Sequence, residues 1–173
     1  QDPRNREISP VGSGRYGADW FSALGIRSDV DFVVPQTRSI AASMILYKKD
    51  AAKPRTLVVS LIPTSDGDPL LLQYGRIPTE ARQIVLSETA ARKLNVKAGQ
   101  DIIGKVGRSV AGAKEQVMVN LRIADVLPHE AFVREAAFVR LDLLEATEDY
   151  RDGRGSEEFD WPGSARPAGS RVY

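Results

Sequence analysis

Hydrophobic positions along the chain follow two different periods. Strict alternation, which is typical of a half-buried strand, is clearest over residues 117–126, where Val117 and the next three odd-numbered positions are apolar. Short apolar runs predict further strands, of which residues 56–62 are the clearest. The other predicted strands lie at residues 39–47, 84–86, 101–106 and 136–139. A further β-type run, Phe32-Val33-Val34, is followed by Pro35, which cannot occupy a central position in a sheet.

Helical spacing is found in three segments between these strands. The predicted helices cover residues 17–25, 88–94 and 141–150. In the first, Trp20 and Phe21 lie on one apolar stripe, and we expect both side chains to fill the core. In the second, Ser87 is a favourable N-cap, and Asn95 and Gly99 can adopt the left-handed backbone that ends a helix.

The order of these elements predicts an α+β fold, in which short helices pack on mixed or antiparallel sheets. Residues rich in Gly, Pro, Ser and Asp separate the elements. Turns or loops are predicted at residues 1–16, 48–54, 63–69, 107–116 and 151–171. The last three residues, Arg171-Val172-Tyr173, have the pattern of the beginning of a strand.

Composition excludes several kinds of chemistry. The 173 residues include 24 Lys and Arg and 23 Asp and Glu, so the net charge of +1 argues against nucleic-acid binding through a basic face. With no Cys the chain lacks thiolate nucleophiles, disulfides and Cys-based metal sites, and its single His, His129, leaves no His pair for a metal. We therefore expect no metal site, no cofactor site and no catalytic residue.

The segment from Gly99 to Val106 nearly matches a phosphate-binding loop, with Gly104 and Lys105 in the required positions. The mechanism fails because Val106 has no hydroxyl for Mg²⁺ and because the loop follows a helix rather than a strand. The sequence therefore favours a strand flanked by glycines.

Two acidic turns have some of the features of calcium-binding loops. They are Asp66-Gly67-Asp68 and the segment from Glu148 to Gly153. An EF-hand loop needs a Glu six residues after its Gly, but Gln73 and Phe159 stand there. Solvated turn carboxylates are the preferred interpretation.

The other residues that could take part in catalysis or binding are explained more simply as loop, packing or salt-bridge residues. His129, between Pro128 and Glu130, is predicted to be an exposed loop residue, and Gly12-Ser13-Gly14 lacks the preceding strand of a nucleophile elbow. Trp161, in a Pro- and Gly-containing loop, either contacts a partner or anchors the loop on its own domain. The arginines are scattered, and we expect them to form salt bridges rather than an anion site.

A resemblance emerges from residues 85–100, VLSETAARKLNVKAGQ. This run of a strand, Leu-Ser, an Ala-rich helix, a turn and a Gly resembles the extracytoplasmic domains of MacB/FtsX-type ABC transporter permeases. The strand over 117–126 and the strand and helix over 136–150 follow in the order that this family shows. The resemblance covers residues 85–150 well, and extends more loosely to residues 2–5 and 32–38.

The resemblance implies a non-catalytic domain on the periplasmic side of the cell membrane, tethered by transmembrane helices that flank it. It implies a porter-like α/β part over residues 1–83, a β-rich inserted subdomain over 84–140, and a return towards the porter-like part over 141–173. The expected partners are those transmembrane helices, a cytoplasmic ATPase subunit, a second copy of the permease or a related permease, and a periplasmic protein. The resemblance also implies that the porter-like part continues beyond Tyr173, so we expect its closing strands to be missing and sheet edges to remain unpaired.

Two alternatives remain open. A secreted or periplasmic hydrolase would need an acid–base pair around a pocket, for which His129 and Asp66 are the residues to test. A free-standing module for small ligands would need an apolar pocket with a few convergent polar groups.

Overall fold

The computed structural model describes residues 16–38, 42–48, 55–110, 112–165, 171 and 173. They form four helices and six strands in a mixed order. The elements are α1 (Ala18–Gly25), β1 (Ser43–Tyr47), β2 (Thr56–Thr64), α2 (Pro69–Tyr74), β3 (Gln83–Ser87), α3 (Glu88–Leu94), β4 (Asp101–Val110), β5 (Ala113–Leu127), β6 (Ala136–Arg140) and α4 (Leu141–Arg151). None of these helices, within the described residues, has the length and apolar character needed to cross a bilayer.

The six strands close into one barrel in the order β1-β2-β6-β3-β5-β4, and β4 pairs with β1. The β2–β6 and β3–β5 pairs are parallel and the other four are antiparallel. The general α+β class with mixed pairing is confirmed. The expectation of unpaired sheet edges is wrong, because each of the six strands has a neighbour on both sides.

The barrel takes β1 and β2 from before residue 83 and its other four strands from residue 83 onwards. The division at residues 83 and 140 into a porter-like part and an insertion stays a prediction.

Two hydrophobic cores explain why some strands are apolar at every position. Ile84 and Leu86 of β3 belong to the main core, with residues of α3 and α4, whereas Val85 belongs to a second core. The second core also contains Leu70 and Leu71 of α2. Strand β3 is therefore buried on both faces, which produces a continuous apolar run rather than an alternating one.

Helix α3 begins and ends at the predicted residues. The hydroxyl oxygen of Ser87 accepts a hydrogen bond from the Ala90 backbone N–H at 3.3 Å and another from that of Ala136 at 3.2 Å. Asn95 ends the helix in the left-handed conformation, with φ 56°. The same side chain of Ser87 thus caps α3 and ties it to the beginning of β6.

Several sequence predictions differ from the structure. Residues 32–34 lie in no strand, because every strand of the barrel is already paired on both sides and offers them no partner. Residues 107–116 are mostly strand, since β4 and β5 pair as far as Val110 and Ala113. Helix α2 follows the turn predicted at 63–69, where the sequence predicted no helix; the Asp68 carboxylate caps it by accepting a hydrogen bond from the Leu70 backbone N–H at 3.0 Å.

Some predictions fall on residues outside the described ranges. They are the lead-in loop over residues 1–15, the first residues of the strand predicted at 39–47, the connection over 49–54, most of the last loop after residue 165, and residue 172.

Candidate functional site

The two ends of the described chain lie side by side. The backbone N–H of Tyr173 donates to the carbonyl oxygen of Tyr16 at 3.0 Å, and the N–H of Tyr16 donates to the carbonyl oxygen of Tyr173 at 3.4 Å. This reciprocal pair is the hydrogen-bonding arrangement of two antiparallel extended segments. We call this place the chain-end junction, formed by Tyr16, Trp20, Phe21 and Tyr173.

The side chains of the chain-end junction stack on one another. The ring centroids lie 4.3 Å apart for Tyr16 and Trp20, 5.0 Å for Trp20 and Phe21, and 5.2 Å for Phe21 and Tyr173. The prediction that Trp20 and Phe21 fill the core is wrong: none of the eight residues of α1, all of them described, is buried. Their apolar stripe packs on the other end of the chain instead of on the barrel.

Ion pairs attach Arg171 to helix α4. Arg171, whose side chain is only 11% exposed, lies 2.9 Å from Glu148 Oε2, 2.6 Å from Asp149 Oδ2 and 3.3 Å from Glu145 Oε1. The Tyr173 hydroxyl donates a hydrogen bond to Glu145. Burial, followed by this hydrogen bond, raises the pKa of the Tyr173 hydroxyl.

The same helix also holds the segment that follows α1. Arg38 Nε donates to Glu148 Oε1 at 2.7 Å, and its Nη2 donates to both carboxylate oxygens of Asp152. Hydrogen bonding to Asp152, and then to Glu148, raises the pKa of the Arg38 guanidinium. Glu148, with a side chain 10% exposed, therefore binds Arg38 through one oxygen and Arg171 through the other.

We call this cluster the α4 ion-pair network. Its members are Arg38, Glu145, Glu148, Asp149, Asp152, Arg154 and Arg171. The carboxylates of residues 148–153, considered above as a calcium loop, are thus paired with arginine side chains. Within the described ranges no group of three or more His, Cys, Asp or Glu side chains is arranged to hold a metal ion.

An open groove of about 400 Å³ lies beside the chain-end junction, between α1 and the beginning of α4. Its apolar lining comes from Phe21, Val33, Val34, Pro35 and Leu141. The groove is also lined by Ala18, Ser22, Gly25, Thr64, Ser65, Arg140, Asp142 and Tyr173. This volume lies at the lower end of the range of small-molecule sites.

The near-match to a phosphate loop is a strand, as the sequence favoured. Gly99 lies in a turn with φ 80°, whereas Gly104 is buried in the middle of β4. A phosphate loop needs free backbone N–H groups, but β4 is paired with β1 and β5 along this stretch.

The two residues proposed for a hydrolase have different partners. His129 is exposed, with Nδ1 3.3 Å from the Thr89 hydroxyl oxygen, and this hydroxyl donates to the Val133 carbonyl oxygen at 2.9 Å. Asp66 lies 3.4 Å from Arg140 and its side chain is 91% exposed. The segment 12–14 lies outside the described residues.

Trp161 anchors its loop on its own domain. It is 5% exposed, and its ring lies 5.9 Å from that of Tyr150 and 5.2 Å from that of Phe159. Its indole N–H donates to the Met118 carbonyl oxygen at 3.3 Å. Of the two interpretations offered for this residue, packing on its own domain is therefore the one that the structure confirms.

Sequence reasoning missed the chain-end junction, although α4 carried a signal for it. Glu145, Glu148, Asp149 and Asp152 are spaced i, i+3, i+4 and i+7, so they form an acidic stripe on one face of the predicted helix. Such a stripe beside buried positions needs cationic partners. Which arginines supply them depends on the tertiary fold.

No family model matches this chain, and no curated protein matches it. The fold and the site define its class as a closed six-stranded α+β barrel in which the segments at Tyr16 and Tyr173 pair with each other beside helix α4.

Proposed function

We propose that this chain is a non-catalytic extracytoplasmic domain of an ABC transporter permease. In this role it couples cytoplasmic ATP hydrolysis to substrate export or to a periplasmic partner. The observation that supports the proposal is that residues 83–151 fold as β3, α3, β4, β5, β6 and α4, the order of elements on which the family resemblance of residues 85–150 rests.

A route for transmitting motion follows from the contacts at the junction. Arg171 and Tyr173 bind α4, and α4 begins at Leu141, directly after the last residue of β6. Strand β6 pairs with β2 and β3 in the barrel wall. A displacement of the chain ends would therefore be passed through α4 to the barrel wall.

The finer architecture belongs to the same proposal. The porter-like part would comprise residues 1–83 with the returning segment 141–173, and the inserted part residues 84–140. The domain would lie on the periplasmic side of the cell membrane, between its own transmembrane helices. A cytoplasmic ATPase subunit and a second permease copy, or a related permease, would complete the transporter.

The first test is to read the coding sequence on both sides of this segment. The proposal expects an apolar span of about 20 residues on each side. Polar, soluble sequence on both sides would contradict it.

The second test uses the full-length permease with its ATPase subunit in lipid nanodiscs. Arg171→Gln removes the ion pairs that attach residue 171 to α4, and we expect ATP hydrolysis to persist while ATP-driven movement of a spin label at position 120 is reduced. Arg122→Gln, which removes an arginine outside this route, is the control and should retain that movement. Equal movement in Arg171→Gln and in the original protein would contradict coupling through α4.

The groove beside α1 favours a second candidate function, the binding of a small ligand. Its apolar lining and about 400 Å³ volume are the supporting observation. A thermal-shift screen tests this, with Ser22→Trp as the variant that fills the groove. A binding module would show ligands that raise the Tm of the original chain but not that of the variant. A screen without any such ligand would count against it.

A further inference from the structure

We infer that Glu148 couples the segment 16–38 to residues 171 and 173, so that releasing one of these two parts from α4 loosens the other while the barrel stays folded. This inference rests on contacts within the chain and holds whether or not the proposed transporter role is correct.

Glu148 is shared by the two ends in a way that makes their contacts interdependent. Its Oε1 accepts from Arg38 Nε at 2.7 Å, and its Oε2 accepts from Arg171 Nη1 at 2.9 Å. A carboxylate is planar and rigid, so a rotation that follows one arginine moves the oxygen that binds the other. Two groups that share one partner in this way are expected to show non-additive effects.

Burial makes this shared carboxylate more important than an exposed ion pair. The side chains of Glu148 and Arg171 are 10% and 11% exposed, whereas that of Arg38 is 58% exposed. Solvent and salt screen the buried pair less than the exposed one. Loss of Arg171 therefore leaves a poorly solvated carboxylate oxygen on Glu148, and the rotation that brings this oxygen to water moves the other oxygen away from Arg38.

The two chain ends can separate from the barrel because they add little to its interior. Among the described residues, neither hydrophobic core contains a member from 16–38, nor residue 171 or 173. These segments are attached by ion pairs, by the backbone pair of Tyr16 and Tyr173, by half-buried rings and by the buried Pro35. Segments with few buried apolar contacts open at a lower free-energy cost than the core.

Hydrogen exchange measured by mass spectrometry on the 173-residue chain tests the inference. The readouts are the amides of residues 16–38 and those of β3, a strand buried on both faces. We expect Arg171→Gln to speed exchange over residues 16–38 by about tenfold, although Arg38 is untouched, and to leave β3 unchanged. Arg122→Gln is the control, because it removes an arginine that pairs with the exposed Asp101 on the barrel and takes no part in the α4 ion-pair network; it should leave both readouts unchanged.

A second pair of variants assigns the coupling to Glu148. Glu148→Gln alone should speed exchange over residues 16–38 at least as much as Arg171→Gln does. In the Glu148→Gln background, Arg171→Gln should add nothing further over residues 16–38. A further increase there would overturn the assignment, because it would place the coupling in the Tyr16–Tyr173 backbone pair.

Two other outcomes would overturn the inference itself. Unchanged exchange over residues 16–38 in Arg171→Gln would show that the ends are independent. Loss of β3 protection together with that of residues 16–38, in either variant, would show that the ends and the barrel unfold as one unit.

Discussion

Gly104 offers the sharpest test of how the barrel interior is packed. A Cβ added at this glycine would lie 2.3 Å from Met44 Sδ, and 3.0 Å from both Leu121 Cδ1 and Val119 Cγ1. Ordinary van der Waals contacts of a Cβ lie at 3.4–4 Å. Those three side chains are at most 2% exposed, so none can swing into solvent to make room.

Gly104→Ala should therefore overpack the barrel and destabilise the protein. Inserting a methyl group into a filled core costs about 1–3 kcal/mol. For a chain of this size each 1 kcal/mol lowers the Tm by about 2–4 °C, so we expect a decrease of about 2–12 °C. Gly107→Ala in the same strand is the control, because its Cβ would meet only the Glu115 carbonyl oxygen at 3.7 Å. It should change stability by less than about 0.5 kcal/mol.

Urea unfolding followed by circular dichroism measures both variants and a double mutant. Met44→Ala alone should cost about 2–5 kcal/mol through the cavity that it leaves. Combined with Gly104→Ala, it should cost at least about 1 kcal/mol less than the sum of the two single effects, because the space that it opens accepts the new methyl group. Additive costs, or equal costs for Gly104→Ala and Gly107→Ala, would refute the reasoning.

Three further predictions concern single side chains. Trp161→Ala should cost about 3–5 kcal/mol in urea unfolding, because it removes a buried indole; a cost below 1 kcal/mol would mean that the loop is not anchored there. Tyr173→Phe should lower the free energy of unfolding at pH 8, and the gap between the two proteins should shrink as the pH rises above about 10. The reason is that the pKa of Tyr173 is raised in the folded state, so the unfolded chain loses the tyrosine proton first. A gap that grows with pH would contradict this direction of the pKa shift. Ser87→Ala should cost about 2–4 kcal/mol, since two buried N–H groups lose their acceptor, whereas Ser22→Ala on exposed α1 should cost less than about 0.5 kcal/mol.

Local signals predicted the elements whose hydrogen bonds and backbone angles are set by neighbouring residues. Helix α3 has both the cap at Ser87 and the left-handed exit at Asn95 that its sequence indicates. The alternation over 117–126 likewise lies within β5. These features depend on residues at most four positions apart, so they can be read without knowledge of the fold.

Predictions failed where a residue's neighbours come from far along the chain. Residues 32–34 have the composition of a strand, but a strand also needs a partner, and β1 and β2 are already paired on both sides. Trp20 and Phe21 have helical spacing, but the surface that their stripe meets is the other end of the chain. Spacing predicts that a side chain needs a contact and does not say which contact it receives.

The sequence by itself determined helices α1, α3 and α4, most of the strand positions and the general α+β class. It also excluded thiol chemistry, because it contains no Cys. Only the tertiary structure decided that six strands close into a barrel and that Glu148 lies between Arg38 and Arg171, residues 110 positions before it and 23 after it. The physical reason is that closure and ion pairing depend on which distant segments meet. That choice minimises the free energy of the whole chain rather than of any local window.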